Sequence, residues 1–104
     1  MINMIVNPME GVFEALASLP RRRMLSFLSQ TALSTVELAE RFGMSAPAVS
    51  RHLAVLQQAG LVSGEREGQR VLYRLNRDVL LGALARLASE VDGPLRRDPP
   101  REAI

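Results

Sequence analysis

Apolar residues recur at intervals of three and four along five segments, a spacing typical of amphipathic helices. The predicted helices cover residues 8–17, 20–29, 34–42, 46–59 and 77–91, and the connector at 30–33 has room for a short strand. Between residues 61 and 75 the period shortens to two, which predicts a β-hairpin with a tight turn at Glu67-Gly68. The chain is therefore expected to be mainly α-helical with one small hairpin.

Several residues mark where the helices begin and end. Ser34 and Glu37 have the spacing of a capping box, in which each side chain binds the other residue's free backbone N–H. Gly43 suits the left-handed end of that helix, and Ser45 is a strong N-cap for the next one. Asn76 is expected to cap the fifth helix. The third and fourth helices, followed by the hairpin, predict a winged helix-turn-helix with five helices and a two-stranded wing.

The fourth helix has small and polar residues opposite its apolar stripe of Val49, Leu53 and Leu56. Small side chains let a helix approach base edges, and Arg51 can reach a guanine edge or a phosphate. An ordinary surface helix usually has long charged side chains on its exposed face. The second helix of this motif enters the DNA major groove. The residues expected to contact DNA from this helix are Ser45, Ala46, Pro47, Ala48, Ser50, Arg51 and His52.

The predicted wing carries polar residues at its tip. Arg66, Gln69 and Arg70 are expected to contact DNA in the minor groove or along the phosphates, although a solvated tip is the alternative. Arg74 is expected to pair with Glu65 instead.

Two other basic features allow more than one interpretation. His52 is either a partly buried histidine or a phosphate contact; it has no other histidine or cysteine with which to bind a metal, so none is expected. The side chains of residues 21–23 spread over about 200° of a helix, so at least one arginine should make a contact within the chain.

Charge is concentrated on the predicted DNA-reading unit. Residues 41–77 have six arginines against two glutamates, whereas the segments on either side each have one more acidic residue than basic. Such an asymmetric positive patch is typical of nucleic-acid binding. The chain has no cysteine, no transmembrane stretch and no signal peptide, which predicts a cytoplasmic protein without disulfides. No paired catalytic groups or phosphate-binding glycine loop indicate an enzyme, and no cofactor is expected.

The 104 residues are sufficient for one domain, assigned to residues 1–92, and residues 93–104 are expected to form a flexible tail. The first and last helices have more apolar surface than a small core requires, which favours a homodimer over packing within one core. The residues expected at the dimer interface are Val12, Phe13, Leu16, Leu80, Leu84, Leu87 and Val91.

The chain resembles the ArsR/SmtB-type repressors of bacteria. The resemblance spans about residues 10–90 and rests on segments 13–25, 37–39, 49–53, 59–62, 66–68 and 73–75. It implies a homodimer joined through the first and last helices, and repression by blocking a promoter. Metal-sensing members have cysteines where this chain has Ser34 and Val36, or Asp and His ligands along the last helix. Here Asp78 is present but no histidine follows it, so the resemblance is to members without a metal site.

These features predict a homodimeric transcriptional repressor that binds double-stranded DNA at a palindromic operator and senses no metal. Two alternatives stay open. One is a repressor that responds to an organic ligand; the other is a winged helix used only for protein–protein contact, which would have little affinity for DNA.

Overall fold

The computed structural model describes residues 8–92, which form five helices and three strands. The predicted helices and hairpin are present, with ends within two residues of those expected. The segment 1–7 and the predicted tail at 93–104 lie outside the described residues. In chain order the elements are α1 (Pro8–Leu16), α2 (Leu19–Leu28), β1 (Leu33–Ser34), α3 (Thr35–Phe42), α4 (Ala46–Gln58), β2 (Val62–Glu67), β3 (Arg70–Leu75) and α5 (Arg77–Val91).

The helix-turn-helix is defined by the local signals that the sequence contains. The capping box is formed: Ser34 Oγ accepts the Glu37 N–H at 3.2 Å, and Glu37 Oε1 accepts the Ser34 N–H at 2.8 Å. Gly43 ends α3 with φ 62°, a conformation that glycine adopts without steric cost. Ser45 caps α4 by accepting the Ala48 N–H at 3.2 Å. These predictions are confirmed.

Asn76 does not cap α5 as expected. It occupies the N-cap position, but its side chain makes no capping hydrogen bond. Its Nδ2 instead donates to the Gly60 carbonyl at 2.8 Å, and its Oδ1 accepts from the Ser63 hydroxyl at 3.2 Å. Its own backbone N–H donates to the Leu61 carbonyl. Because these partners follow α4, Asn76 ties the start of α5 to the start of the wing.

The hairpin is part of a three-stranded antiparallel sheet in the order β1-β3-β2, rather than a two-stranded wing alone. The two-residue strand β1 adds to β3 by pairing Leu33 with Tyr73. Glu67 pairs with Arg70, so the turn is Gly68-Gln69, one residue later than predicted. Gly68 has φ 67°, as tight hairpin turns require at their first position.

The core lies between α4 and the elements packed around it, and the predicted apolar stripe of α4 is completely buried. In contrast, α5 has no buried residue; Leu80 and Ala83 pack against the core, and the rest of its apolar face is open. Val12, which was expected at a dimer interface, is only 3% exposed and belongs to the core. The buried apolar residues are Val12, Ala15, Met24, Leu25, Leu28, Leu33, Leu38, Val49, Leu53, Leu56, Leu61 and Val62.

Candidate nucleic-acid interface

The exposed face of α4 is made of small and polar side chains. Ala46, Pro47, Ser50 and Arg51 are exposed, and Ala48 is half-buried beside them. Opposite this face, the buried stripe of α4 is anchored in the core, so the helix is held in one orientation. In its first turn Pro47 has no N–H and the Ala48 N–H is bound by Ser45 Oγ, so the attraction for a phosphate comes mainly from the positive end of the helix dipole.

The turn of the wing also carries exposed polar side chains. Arg66, Gln69 and Arg70 are all exposed around the turn. The Arg66 guanidinium donates to the Gly68 carbonyl at 3.3 Å, which leaves further donors for another partner. Arg74 Nε lies 3.8 Å from Glu65 Oε1, so the pair expected from the sequence is confirmed.

Arg70 makes a contact that the sequence did not reveal. Its Nη1 lies 3.4 Å from Glu37 Oε2, and its Nη2 lies 3.9 Å from Glu67 Oε1. Glu37 is on α3, far from the wing along the chain, and sequence patterns report only nearby pairs. One wing arginine is therefore partly neutralised by the helix-turn-helix itself.

The His52 side chain contacts another part of the chain and is only partly exposed to solvent. Its Nδ1 lies 3.4 Å from Arg21 Nη1, and its ring is half-buried on the flank of α4. Burial, followed by the charges of Arg21 and Arg51, lowers the pKa of His52 below its ordinary value of 6.5. The ring is thus mainly neutral at pH 7, and the partly buried interpretation fits better than an ionic phosphate contact.

Two of the three consecutive arginines of α2 donate hydrogen bonds to the C-terminal end of α1. Arg21 donates to the Ala15 carbonyl at 2.7 Å and to the Glu14 carbonyl at 3.3 Å. Arg22 donates to the Leu16 carbonyl at 2.6 Å. Cationic side chains favour the C-terminal carbonyls of a helix. The prediction that at least one of these arginines is used within the chain is confirmed.

The acidic residues of α5 are spread along the helix. Asp78 and Glu90 are twelve residues apart on one helix, a separation of about 18 Å along its axis. Glu90 pairs with Arg86 at 3.7 Å. Within residues 8–92, no three His, Cys, Asp or Glu side chains cluster as a metal site would require. In that same part of the chain, every helix is too short or too polar to cross a bilayer.

Residues 20–63, which run from α2 to the start of the wing, match the family model described as "Bacterial regulatory protein, arsR family". The transcriptional repressor SdpR of Bacillus subtilis is 39% identical over 72 residues, which cover 69% of this chain and 80% of SdpR. This chain belongs to the ArsR family.

Other ArsR-family proteins extend the likeness. The regulator KmtR of Mycobacterium tuberculosis is 43% identical over 67 residues, covering 64% of this chain but only 52% of KmtR. Among solved structures, an ArsR-like transcriptional regulator from Rhodococcus sp. RHA1 superposes with a TM-score of 0.77 at 30% identity, covering 86% of this chain and 84% of that one. The winged helix-turn-helix fold is shared over most of the described residues, and these relatives are regulators rather than enzymes.

Proposed function

We propose that this ArsR-family protein is a cytoplasmic transcriptional repressor that binds a palindromic DNA operator as a homodimer and does not respond to metal ions. The observation that carries the proposal is the exposed face of α4, where Ser50 and Arg51 stand among small residues. SdpR, which is matched over 80% of its length, is named a transcriptional repressor, and this supports repression.

The roles proposed for the exposed residues of α4 and of the wing follow from their positions in the fold. Ser50 and Arg51 lie in the N-terminal half of α4, the part of a recognition helix that contacts base edges. Arg66 and Arg70 lie at the wing, where they would contact phosphates. Base contacts then provide sequence specificity, and phosphate contacts provide affinity that depends on salt.

The proposed dimer interface uses the face of α5 that the chain leaves open. Leu84 and Leu87 are 42% and 39% exposed, and Val91 is 66% exposed. A groove of about 390 Å³ beside them, between α2 and α5, is lined mainly by leucines. We assign a second copy to this face, together with Phe13 and Leu16 of α1 and the half-buried Leu80, which lines the groove. Val12 has too little exposed surface to contribute. Two-fold symmetry in such a dimer would match a palindromic operator.

Metal independence is proposed from the ligands that the chain offers. Soft ions such as Cd²⁺ and arsenite prefer thiolates, and the sequence has no cysteine. Zn²⁺ and Ni²⁺ favour imidazoles, and the sequence has one histidine, which lies against Arg21. Because an effector acts only through a difference in affinity between two states, an ion bound weakly cannot release the operator.

The proposal is tested by titrating the protein onto a labelled duplex from the region upstream of its own coding sequence. A scrambled duplex of equal length and composition is the matched control. A sequence-specific repressor should bind the upstream duplex at least about 10³-fold more tightly at physiological salt. Micromolar Zn²⁺, Ni²⁺, Cd²⁺ or arsenite should not change that affinity.

Each alternative has its own result. Equal affinity for both duplexes would contradict operator recognition, and the absence of DNA binding would favour a protein-interaction module. Release by a metal would contradict metal independence. Release by cell-derived organic compounds, but not by metals, would favour the effector-responsive alternative.

A further inference from the structure

Glu37 is shared by two parts of the proposed DNA-binding surface. Its Oε1 completes the capping box by accepting the Ser34 N–H at 2.8 Å. Its Oε2 accepts from Arg70 Nη1 at 3.4 Å, across the space between α3 and the wing. The two oxygens of one carboxylate thus have separate partners, one on the helix-turn-helix and one on the hairpin.

The capping box fixes the position of the Glu37 carboxylate independently of Arg70. Ser34 is 5% exposed, so the N–H that binds Oε1 is itself fixed in the structure. The same backbone hydrogen bond is the largest cause that lowers the pKa of Glu37; the Ser34 hydroxyl and the charges of Arg70 and Arg41 add to it, against partial desolvation. Glu37 is therefore ionised at neutral pH and presents a fixed negative charge to the wing.

We propose that Glu37 is a positioning residue for the wing: it holds Arg70 against α3 in the free protein and competes with a DNA phosphate for the Arg70 guanidinium. The inference rests on the proposed function, because the competing ligand is DNA. The ion pair is open to exchange, since the Arg70 and Glu37 side chains are 53% and 36% exposed. Exposed ion pairs of this kind contribute little net stability, because water and salt screen them.

Competition between Glu37 and a DNA phosphate for Arg70 reduces the part of the DNA affinity that does not depend on base sequence. A phosphate contact made by Arg70 adds equally to binding of operator and random DNA. Each time the wing binds DNA, Arg70 must first leave Glu37, and this cost reduces both affinities to the same extent. Glu67 is a weaker second competitor, because its oxygen lies 3.9 Å from Arg70.

The test uses Glu37→Gln, which removes the charge but keeps the capping box, since glutamine serves at the same position. We expect about two- to fivefold tighter binding to both the upstream and the scrambled duplex, the range that corresponds to losing an exposed ion pair. The matched control is Glu40→Gln. Glu40 lines the same groove between α3 and the wing and makes no ion pair with Arg70 within the described part of the chain. Melting curves verify that each variant is folded.

A double-mutant cycle with Arg70→Gln separates competition from the loss of a negative charge near DNA. Arg70→Gln alone should weaken binding to both duplexes and reduce the salt slope by about one, as expected for one lost phosphate contact. In the Arg70→Gln background, Glu37→Gln should increase the affinity for DNA no more than Glu40→Gln does. An equal gain in both backgrounds, or weaker binding by a folded Glu37→Gln variant, would overturn the inference.

The wild-type protein distinguishes this result from a failure of the proposed function. If it binds both duplexes equally, operator recognition is wrong, but the cycle still measures the competition on either duplex. If it binds neither, both proposals are wrong. If it recognises the upstream duplex and the cycle shows no coupling, only the role of Glu37 is wrong.

Discussion

Single residues connect elements of this protein that are distant along the chain. Arg21 joins the last carbonyls of α1 to the flank of α4 through His52, and Asn76 joins the end of α4 to the start of α5. Both contacts use polar side chains on partly buried backbone, where each unmet carbonyl would cost stability. The surroundings of α4 are thus held by hydrogen bonds as well as by its apolar stripe.

The pKa of His52 measures one of these contacts directly. It should lie below 6.5 because burial and then the positive charges of Arg21 and Arg51 disfavour the imidazolium. Since the folded-state pKa is lowered, the contribution of His52 to stability is complete above pH 6.5 and is lost as pH falls through the folded-state pKa. As this is the only histidine in the sequence, a proton NMR titration observes it without overlap.

Arg21→Gln should raise the pKa of His52 towards its ordinary value, because it removes one of the charges that lower it. Arg23→Gln is the matched control: it removes an exposed arginine of the same helix that makes no contribution to the shift. A titration midpoint at or above 6.5 in the wild-type protein would contradict the contact with Arg21 and the partial burial of the ring.

Asn76→Asp tests whether position 76 acts as a helix cap or as a tether. Aspartate caps helices as well as asparagine does, but it has no N–H to donate to the Gly60 carbonyl. We expect the free energy of unfolding to fall by about 1–3 kcal/mol, measured by urea denaturation. Ser63→Ala removes only the weaker contact of this side chain and should cost less. An unchanged free energy of unfolding in Asn76→Asp would contradict the tether and favour a role as helix cap.

Among the elements, α5 differs from the other helices because its apolar face has no cover within the described residues. It contributes no buried side chain, whereas α4 buries three. A 15-residue helix with several leucines exposed leaves an apolar surface that favours association. The period of its leucines predicted this helix, but periodicity does not say whether an apolar face meets its own core or another molecule.

Leu84→Glu should dissociate the proposed dimer. In the single chain Leu84 is 42% exposed, so a glutamate there remains solvated and the fold is kept. At an apolar interface, the same carboxylate would lose its hydration at a cost of several kcal/mol. Ala85→Glu is the matched control, since this exposed neighbour points about 100° away around the helix. Sedimentation velocity should show a monomer for Leu84→Glu and a dimer for Ala85→Glu; an unaltered dimer in both would contradict the assignment of this face.

For the protein as a whole, the local signals in the sequence predicted most of the fold. Ser34, Glu37, Gly43 and Ser45 define the helix-turn-helix through contacts within four residues, which sequence patterns report well. The third strand of the sheet was not predicted as part of the wing, because it depends on the pairing of Leu33 with Tyr73, forty residues away.

The same distinction applies to the candidate site. The exposed face of α4 follows from helical periodicity, and of the residues expected there only Ala48 and His52 are half-buried. The contacts of Arg70 with Glu37 and of Arg21 with His52 depend on how separate elements pack, so no local pattern contains them. Val12 was expected at the dimer interface, but it is only 3% exposed and packs in the core. Helical periodicity does not tell whether an apolar residue of a short helix such as α1 faces the core or a partner.

The proposed reading of base edges by α4 is tested by the affinity of Ser50→Ala and Arg51→Ala for the upstream and scrambled duplexes. Both side chains are exposed, so circular dichroism should show an intact fold. Gln58→Ala, an exposed change at the C-terminal end of the same helix, is the control and should bind as the wild-type protein does. We expect each of the two variants to lose about 1–3 kcal/mol of specific binding with little change on the scrambled duplex. Unchanged affinity of both variants for the upstream duplex would contradict the reading role of α4.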